Sequence, residues 1–231
     1  MKTLAMMTLA LLAIPAQAAT LELLTENNPP MSYAEGAAIK GTAADAVRDL
    51  IAKAGVESKM TLLTWDKAYA QAQSKPNTCV FGTARLPNRE NIFKWYGPVA
   101  TNTWALYSLP TLDTKKIAKV GDARFFKVGA VKNDAKVDFL RSEGVSSVKE
   151  VDTDAENPPR LLKPKNDAGY IDLWITTSAT AKETAAKAGV KDLKEVLVVR
   201  KEPLFLACNP RSDKATLAKL EAAAGGGEKK K

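Results

Sequence analysis

This chain of 231 residues sets 34 lysines and arginines against 26 aspartates and glutamates, a formal net charge of +8. The excess is spread along the chain except at Glu228-Lys229-Lys230-Lys231, and the absence of a basic stripe with interleaved aromatics argues against nucleic acid as a partner. There is no histidine, and the two cysteines, Cys79 and Cys208, lie far apart, which leaves almost nothing from which to build a zinc site.

Residues 1–18 read as Lys2, an apolar run from Leu4 to Ile14, then Pro15 and Ala16-Gln17-Ala18 as a small-residue cleavage site. This is the pattern of a secretory signal peptide, with a mature protein beginning near Ala19. The run is too short to span a bilayer, and nothing later approaches the ~20 apolar residues a spanning helix needs. In an oxidising compartment Cys79 and Cys208 either form a bridge or remain two buried thiols.

Residues 20–24 form a short apolar strand that runs into a proline-stiffened loop over 25–33. There Glu26, Asn28 and Tyr33 either line a cleft or belong to an ordinary turn. Residues 42–45 resemble a capping box opening a helix to Gly55, with Ala46, Val47, Leu50, Ile51 and Ala54 on its apolar face. A strand over 60–63 delivers Trp65, a ring that either closes the core or walls a ligand, and a helix follows over 66–74.

The strand Cys79-Val80-Phe81 leads into Gly82-Thr83-Ala84 and two arginines, Arg85 and Arg89. Open α/β sheets bind ligands at the carboxyl ends of their strands, and an arginine there can hold a carboxylate through two parallel N–H bonds. The alternative is a pair of solvated charges making weak ion pairs with Glu90.

A strand over 103–109 ends at Pro110, and the pattern restarts with a strand over 126–131. Lys132-Asn133-Asp134 passes that strand into a helix with Val137 and Leu140 inward and Gly144 as its stop. Such a junction suits an anion unless Asp134 caps the helix and supplies the negative charge itself. Then come a strand over 148–151, a brief helix over 156–162, a strand over 170–175 and an alanine-rich helix to Gly189. Strands over 196–199 and 204–208 pair around Lys201-Glu202-Pro203, a helix covers 212–224, and 225–231 reads as a disordered tail.

Two strand-helix blocks joined near residues 100–110 and again near 195–210 describe two lobes with a double crossover. Four groups of residues carry a resemblance: Thr25-Glu26 through Tyr33 with Gly41, Pro87-Asn88-Arg89-Glu90 through Phe93 with Gly97-Pro98, Val128-Gly129-Ala130-Val131, and Gly169-Tyr170-Ile171-Asp172. Together they resemble the extracytoplasmic solute-binding proteins of family 3, whose best-known members bind polar amino acids for ABC transporters. The resemblance covers nearly all of the mature chain. It implies an α/β, two-lobed, periplasmic-binding-protein-like (type II) fold, each lobe an open, mainly parallel sheet flanked by helices. Lobe 1 would take residues 19–102 with 209–224 returning to it, and lobe 2 residues 103–208 with the hinge strands.

The implied function is that of a monomeric periplasmic receptor, not an enzyme and with no cofactor. It would close over a small carboxylate-bearing solute, amino acid or organic acid, and deliver it to an inner-membrane ABC permease. The family's carboxylate anchor falls on Arg89, and its second-lobe hydroxyl residues fall on Asp134 and Ala135. The acid that receives a ligand ammonium falls near Thr177, with Asp172 close by. Two arginines and no acid at the ammonium position favour organic or aromatic carboxylates, with Trp65 and Trp174 as walls, unless Asp134 turns into the cleft. The alternatives are a dehydratase-like enzyme using Glu26, Asp134 or Asp172, and a sensory ligand-binding subunit.

Overall fold

The computed structural model describes residues 20–225, so the expected signal peptide and all but Gly225 of the expected tail lie outside it. The first half of the chain supplies β1 (Leu21–Thr25), β2 (Tyr33–Glu35), β3 (Ala38–Lys40), α1 (Thr42–Ala54), β4 (Ser58–Leu62), α2 (Trp65–Ser74), β5 (Thr78–Ala84) and β6 (Lys94–Ser108). The second supplies β7 (Val128–Val131), α3 (Ala135–Ser142), β8 (Val148–Val151), α4 (Asn157–Leu161), β9 (Leu173–Thr177), α5 (Ser178–Lys187), β10 (Lys194–Cys208) and α6 (Lys214–Ala223).

Among the described residues one eight-stranded sheet runs β4-β1-β5-β10-β6-β9-β7-β8, and β2 and β3 make a separate hairpin. β1 lies parallel to β4 and β5, and β7 parallel to β8 and β9. Between these parallel sets run β6 and β10, each 15 residues long, antiparallel to one another and shared by both lobes. Each lobe has its own apolar centre: Leu21, Leu23, Val47, Ile51, Phe81 and Leu206 in the first, and Leu106, Val128, Val137, Leu140 and Ile175 in the second. α6 returns to pack on α1 of the first lobe, its Leu220 fully buried. No helix among the described residues is long and apolar enough to cross a membrane.

Several elements differ from the sequence expectations. β10 is continuous through Lys201-Glu202-Pro203, which pair in register with Thr103, Asn102 and Thr101 of β6 between register shifts on either side. β6 begins at Lys94, ahead of the apolar run at 103, so Gly97-Pro98 lies inside a strand. β9 starts at Leu173, since Tyr170 and Asp172 are held in the preceding turn by bonds to Asp167 and Lys127. α1 has no capping box. Its cap is Gly41 at φ +118°, where an added Cβ would lie 2.4 Å from the Met31 carbonyl oxygen, so close approach dictates the residue. Cys79 and Cys208 stand opposite one another in the β5–β10 ladder, their Cα atoms 3.9 Å apart, and are disulfide-bonded.

Candidate functional site

The carboxyl ends of β1, β4 and β5 in one lobe face those of β7, β8 and β9 in the other, and the loops leaving these ends meet across the gap. Glu26, Trp65 and Arg89 come from the first lobe, Asp134 and Lys136 from the second, and Asn102 and Trp104 from the crossing strand β6. Together they surround a cavity of about 20 Å³. The lobes touch here directly.

Arg89 is 3 % exposed. Its Nη2 donates to the carbonyl oxygen of Asn133 at 2.9 Å and to Asp138 Oδ2 at 3.4 Å, and its guanidinium lies 4.9 Å from the Tyr69 ring centroid. The Trp65 indole donates to the same Asn133 carbonyl at 2.9 Å. Asn133 can present that oxygen because its backbone is left-handed, φ +57°, a conformation asparagine tolerates better than most residues. Arg89 Nη1, Trp104 Nε1 and Asn102 Oδ1 are buried without a hydrogen-bond partner among the described residues, and all three side chains line the same cavity.

The other wall is acidic around one lysine. Asp134 caps α3 by accepting from Lys136 N at 2.7 Å, as its position suggests, and its second oxygen takes Lys136 Nζ at 2.8 Å. That ammonium also lies 5.6 Å from the Trp104 ring centroid. Burial works against the Lys136 charge, but Asp134, Asp154 and Glu26 outweigh it and hold the pKa above its ordinary value. Burial, reinforced by Asp134 and Asp154, pushes the Glu26 carboxyl up to about 8. Burial also raises Asp154, against the pull of Lys136, while Trp174 Nε1 and Thr176 Oγ1 donate to it at 2.9 Å each.

Lys136 and Asp154 were not legible as site residues from composition or pattern. Lys136 reads as an ordinary helical lysine, yet it sits one turn before the inward-facing Leu140, and that spacing placed it on the buried face. Asp154 lies in a polar 3-10 turn after β8 and has no periodic signal.

Other expected residues lie elsewhere. Arg85 binds both oxygens of Glu90, at 2.8 and 2.6 Å, and packs over the Trp95 and Phe205 rings, so it does not reach the cleft cavity. Asp172 precedes β9, at the end remote from the cleft, and accepts from Tyr170 Oη and Lys127 N. Thr177 is buried as the cap of α5, accepting from Thr180 N at 3.0 Å. Trp174 is fully buried in the second lobe, where it orients Asp154 and walls nothing. Tyr33 opens the β2–β3 hairpin half-buried, outside the cavity lining.

At the far side of the cleft, Thr180 Oγ1 donates to Asn28 Oδ1 at 2.6 Å, a further contact between lobes. Beside it a larger cavity of about 420 Å³ runs from Glu26 and Leu63 to Asp154 and Thr184. No group of three or more His, Cys, Asp or Glu side chains among the described residues could hold a metal ion.

No protein-family model matches the chain. No curated protein matches it either. Solved structures do. A histidine kinase sensor domain with similarity to periplasmic binding proteins superposes with a TM-score of 0.73 at 15 % identity, covering 90 % of both chains. An ancestral arginine-binding protein bound to arginine gives 0.72 at 20 %, covering 89 % of this chain and 91 % of that one. The arginine-, lysine-, histidine-binding protein ArtJ from Geobacillus stearothermophilus gives 0.73 at 18 %, covering 90 % and 88 %. At these identities the likeness speaks to architecture: the chain has the two-lobed α/β fold of the periplasmic binding proteins.

Proposed function

We propose that this protein is a monomeric extracytoplasmic receptor, working in the periplasm, that closes its lobes over a small carboxylate-bearing solute and passes it to an inner-membrane ABC permease. Arg89 carries the reading. A buried guanidinium with one nitrogen unpartnered, at the carboxyl edge of a sheet and on the wall between two lobes, suits an acceptor brought in from outside. Leaving such a donor unmet costs about 1–3 kcal/mol, more for a charged group. The fold supports the reading, since similar chains include proteins solved with arginine or glutamine bound.

Closure moves lobe 1, residues 19–102 and 209–224, against lobe 2, residues 103–208. The solute favours the closed state only through contacts it makes to both. Small-angle scattering with and without saturating solute tests this: the radius of gyration should shrink, and an unchanged value overturns closure. A thermal-shift screen of metabolites finds the solute, since ligand at 100 times its dissociation constant stabilises by about 2.7 kcal/mol.

Likeness to a histidine kinase sensor domain favours a second reading, in which the same closure is handed to a membrane sensor. Loss of solute uptake on deletion supports transport. Intact uptake with a lost transcriptional response supports sensing.

A further inference from the structure

We infer that Lys136 fills, from within the chain, the place of a solute's ammonium, so that the cleft selects small carboxylates carrying no ammonium of their own. The inference rests on the receptor reading and names its ligand class.

The Lys136 side chain leaves the first turn of α3 and ends in the cleft, 2.8 Å from Asp134 Oδ2 and 5.6 Å from the Trp104 ring centroid. A carboxylate and an aromatic face are the partners an incoming ammonium would need to lose its water at low cost. Here both are already engaged. Asp134 is fixed as well, because its other oxygen caps α3. A second ammonium would therefore meet a cation at close range in a water-poor site, where like charges repel strongly.

The hydrogen-bonding capacity still open in the cavity has a definite sense. Among its fully buried polar atoms two donors, Arg89 Nη1 and Trp104 Nε1, are unmet, along with one acceptor, Asn102 Oδ1. The Glu26 carboxyl on the same wall, pushed up to about 8 by burial, is neutral at pH 7 and offers an ammonium no anion. Two donors match the oxygens of a carboxylate, and one neutral acceptor matches a hydroxyl better than an ammonium. With about 20 Å³ around these atoms, room for little more than one water, the polar head that enters is small and the lobes part to admit it.

Calorimetry on pairs that exchange ammonium for hydroxyl tests this: alanine against lactate, glutamate against 2-hydroxyglutarate, phenylalanine against 3-phenyllactate. The wild-type protein should bind the hydroxy acid at least tenfold more tightly in any pair it binds. Lys136→Met should reduce that preference at least tenfold, and Lys136→Arg should keep it. Should Lys136→Met alone fail to fold, Lys136→Met combined with Asp134→Asn removes the cation with its partner and should show the same loss of preference. An unchanged ratio in a folded variant, or a wild-type preference for the amino acid, overturns the role of Lys136 and leaves the receptor reading standing. Absence of heat and of thermal shift with every compound in every variant overturns both.

Discussion

The indole nitrogen of Trp65 lies 2.9 Å from the carbonyl oxygen of Asn133, and so a side chain of the first lobe is bonded to the backbone of the second. Arg89 donates to the same oxygen, so one carbonyl gathers two donors at the cleft. Trp65→Phe keeps most of the ring and removes its donor. A neutral hydrogen bond contributes about 0.5–1.5 kcal/mol, so the ratio of closed to open protein should fall roughly two- to tenfold. Small-angle scattering of the unliganded variant should show a larger radius of gyration than wild type.

Arg89→Ala should weaken solute binding about thirtyfold or more, because removing one partner of a buried, hydrogen-bonded charge pair costs roughly 2–5 kcal/mol. Titration calorimetry reads the loss, with circular dichroism to show that the variant is folded. Arg85→Ala should leave affinity within a few-fold, since its guanidinium is held by Glu90.

The Glu26 carboxyl, pushed up to about 8 by burial beside Asp134 and Asp154, makes stability depend on pH. In the window between its ordinary value of 4.5 and about 8 the folded protein holds a proton that the unfolded chain has released, so stability falls as pH rises through it. The melting temperature of wild type should therefore drop relative to that of Glu26→Gln between pH 5 and 9. Parallel curves for the two proteins would contradict this.

The Cys79–Cys208 bridge closes a loop of 129 residues between β5 and β10. Replacing both cysteines by alanine should cost about 2–5 kcal/mol, and each kcal/mol shifts the melting temperature by roughly 2–4 °C in a protein of this size. Cys79 lies near the amino end of β5, away from the cleft, so solute affinity should be unchanged.

Strands with apolar runs and helices with clear stops were legible in the sequence. The strand over 148–151 and the helix stop at Gly55 stand where the pattern placed them, because local packing and backbone conformation alone determine them. The crossing strands were half legible. A proline and three charges around 200–203 read as a turn, but in a long antiparallel pair with register shifts they fit the ladder. The place of a candidate residue was legible where it follows from a strand end, as for Arg89 at the cleft wall, and illegible where it depends on what meets the residue in space. Arg85 was a second candidate beside Arg89, and its alternative, an ion pair with Glu90, is the arrangement found. Lys136 and Asp154, 18 residues apart, become partners in charge only once β7 and β8 pair.

The first lobe is discontinuous, and this dictates an order of assembly. β7, β8, β9 and their helices follow one another along the chain and can pair over short loops, whereas β5 waits for β10 on the far side of that whole segment. Closing so long a loop is entropically dear and slow. As the chain emerges amino end first, β1, β4 and β5 therefore appear early and finish late, with an edge of β5 open in the interim. An open edge of apolar strand is a template for association between chains. Refolding yield should depend on protein concentration until β10 docks, and the protein that emerges first should be the last to gain protection from hydrogen exchange.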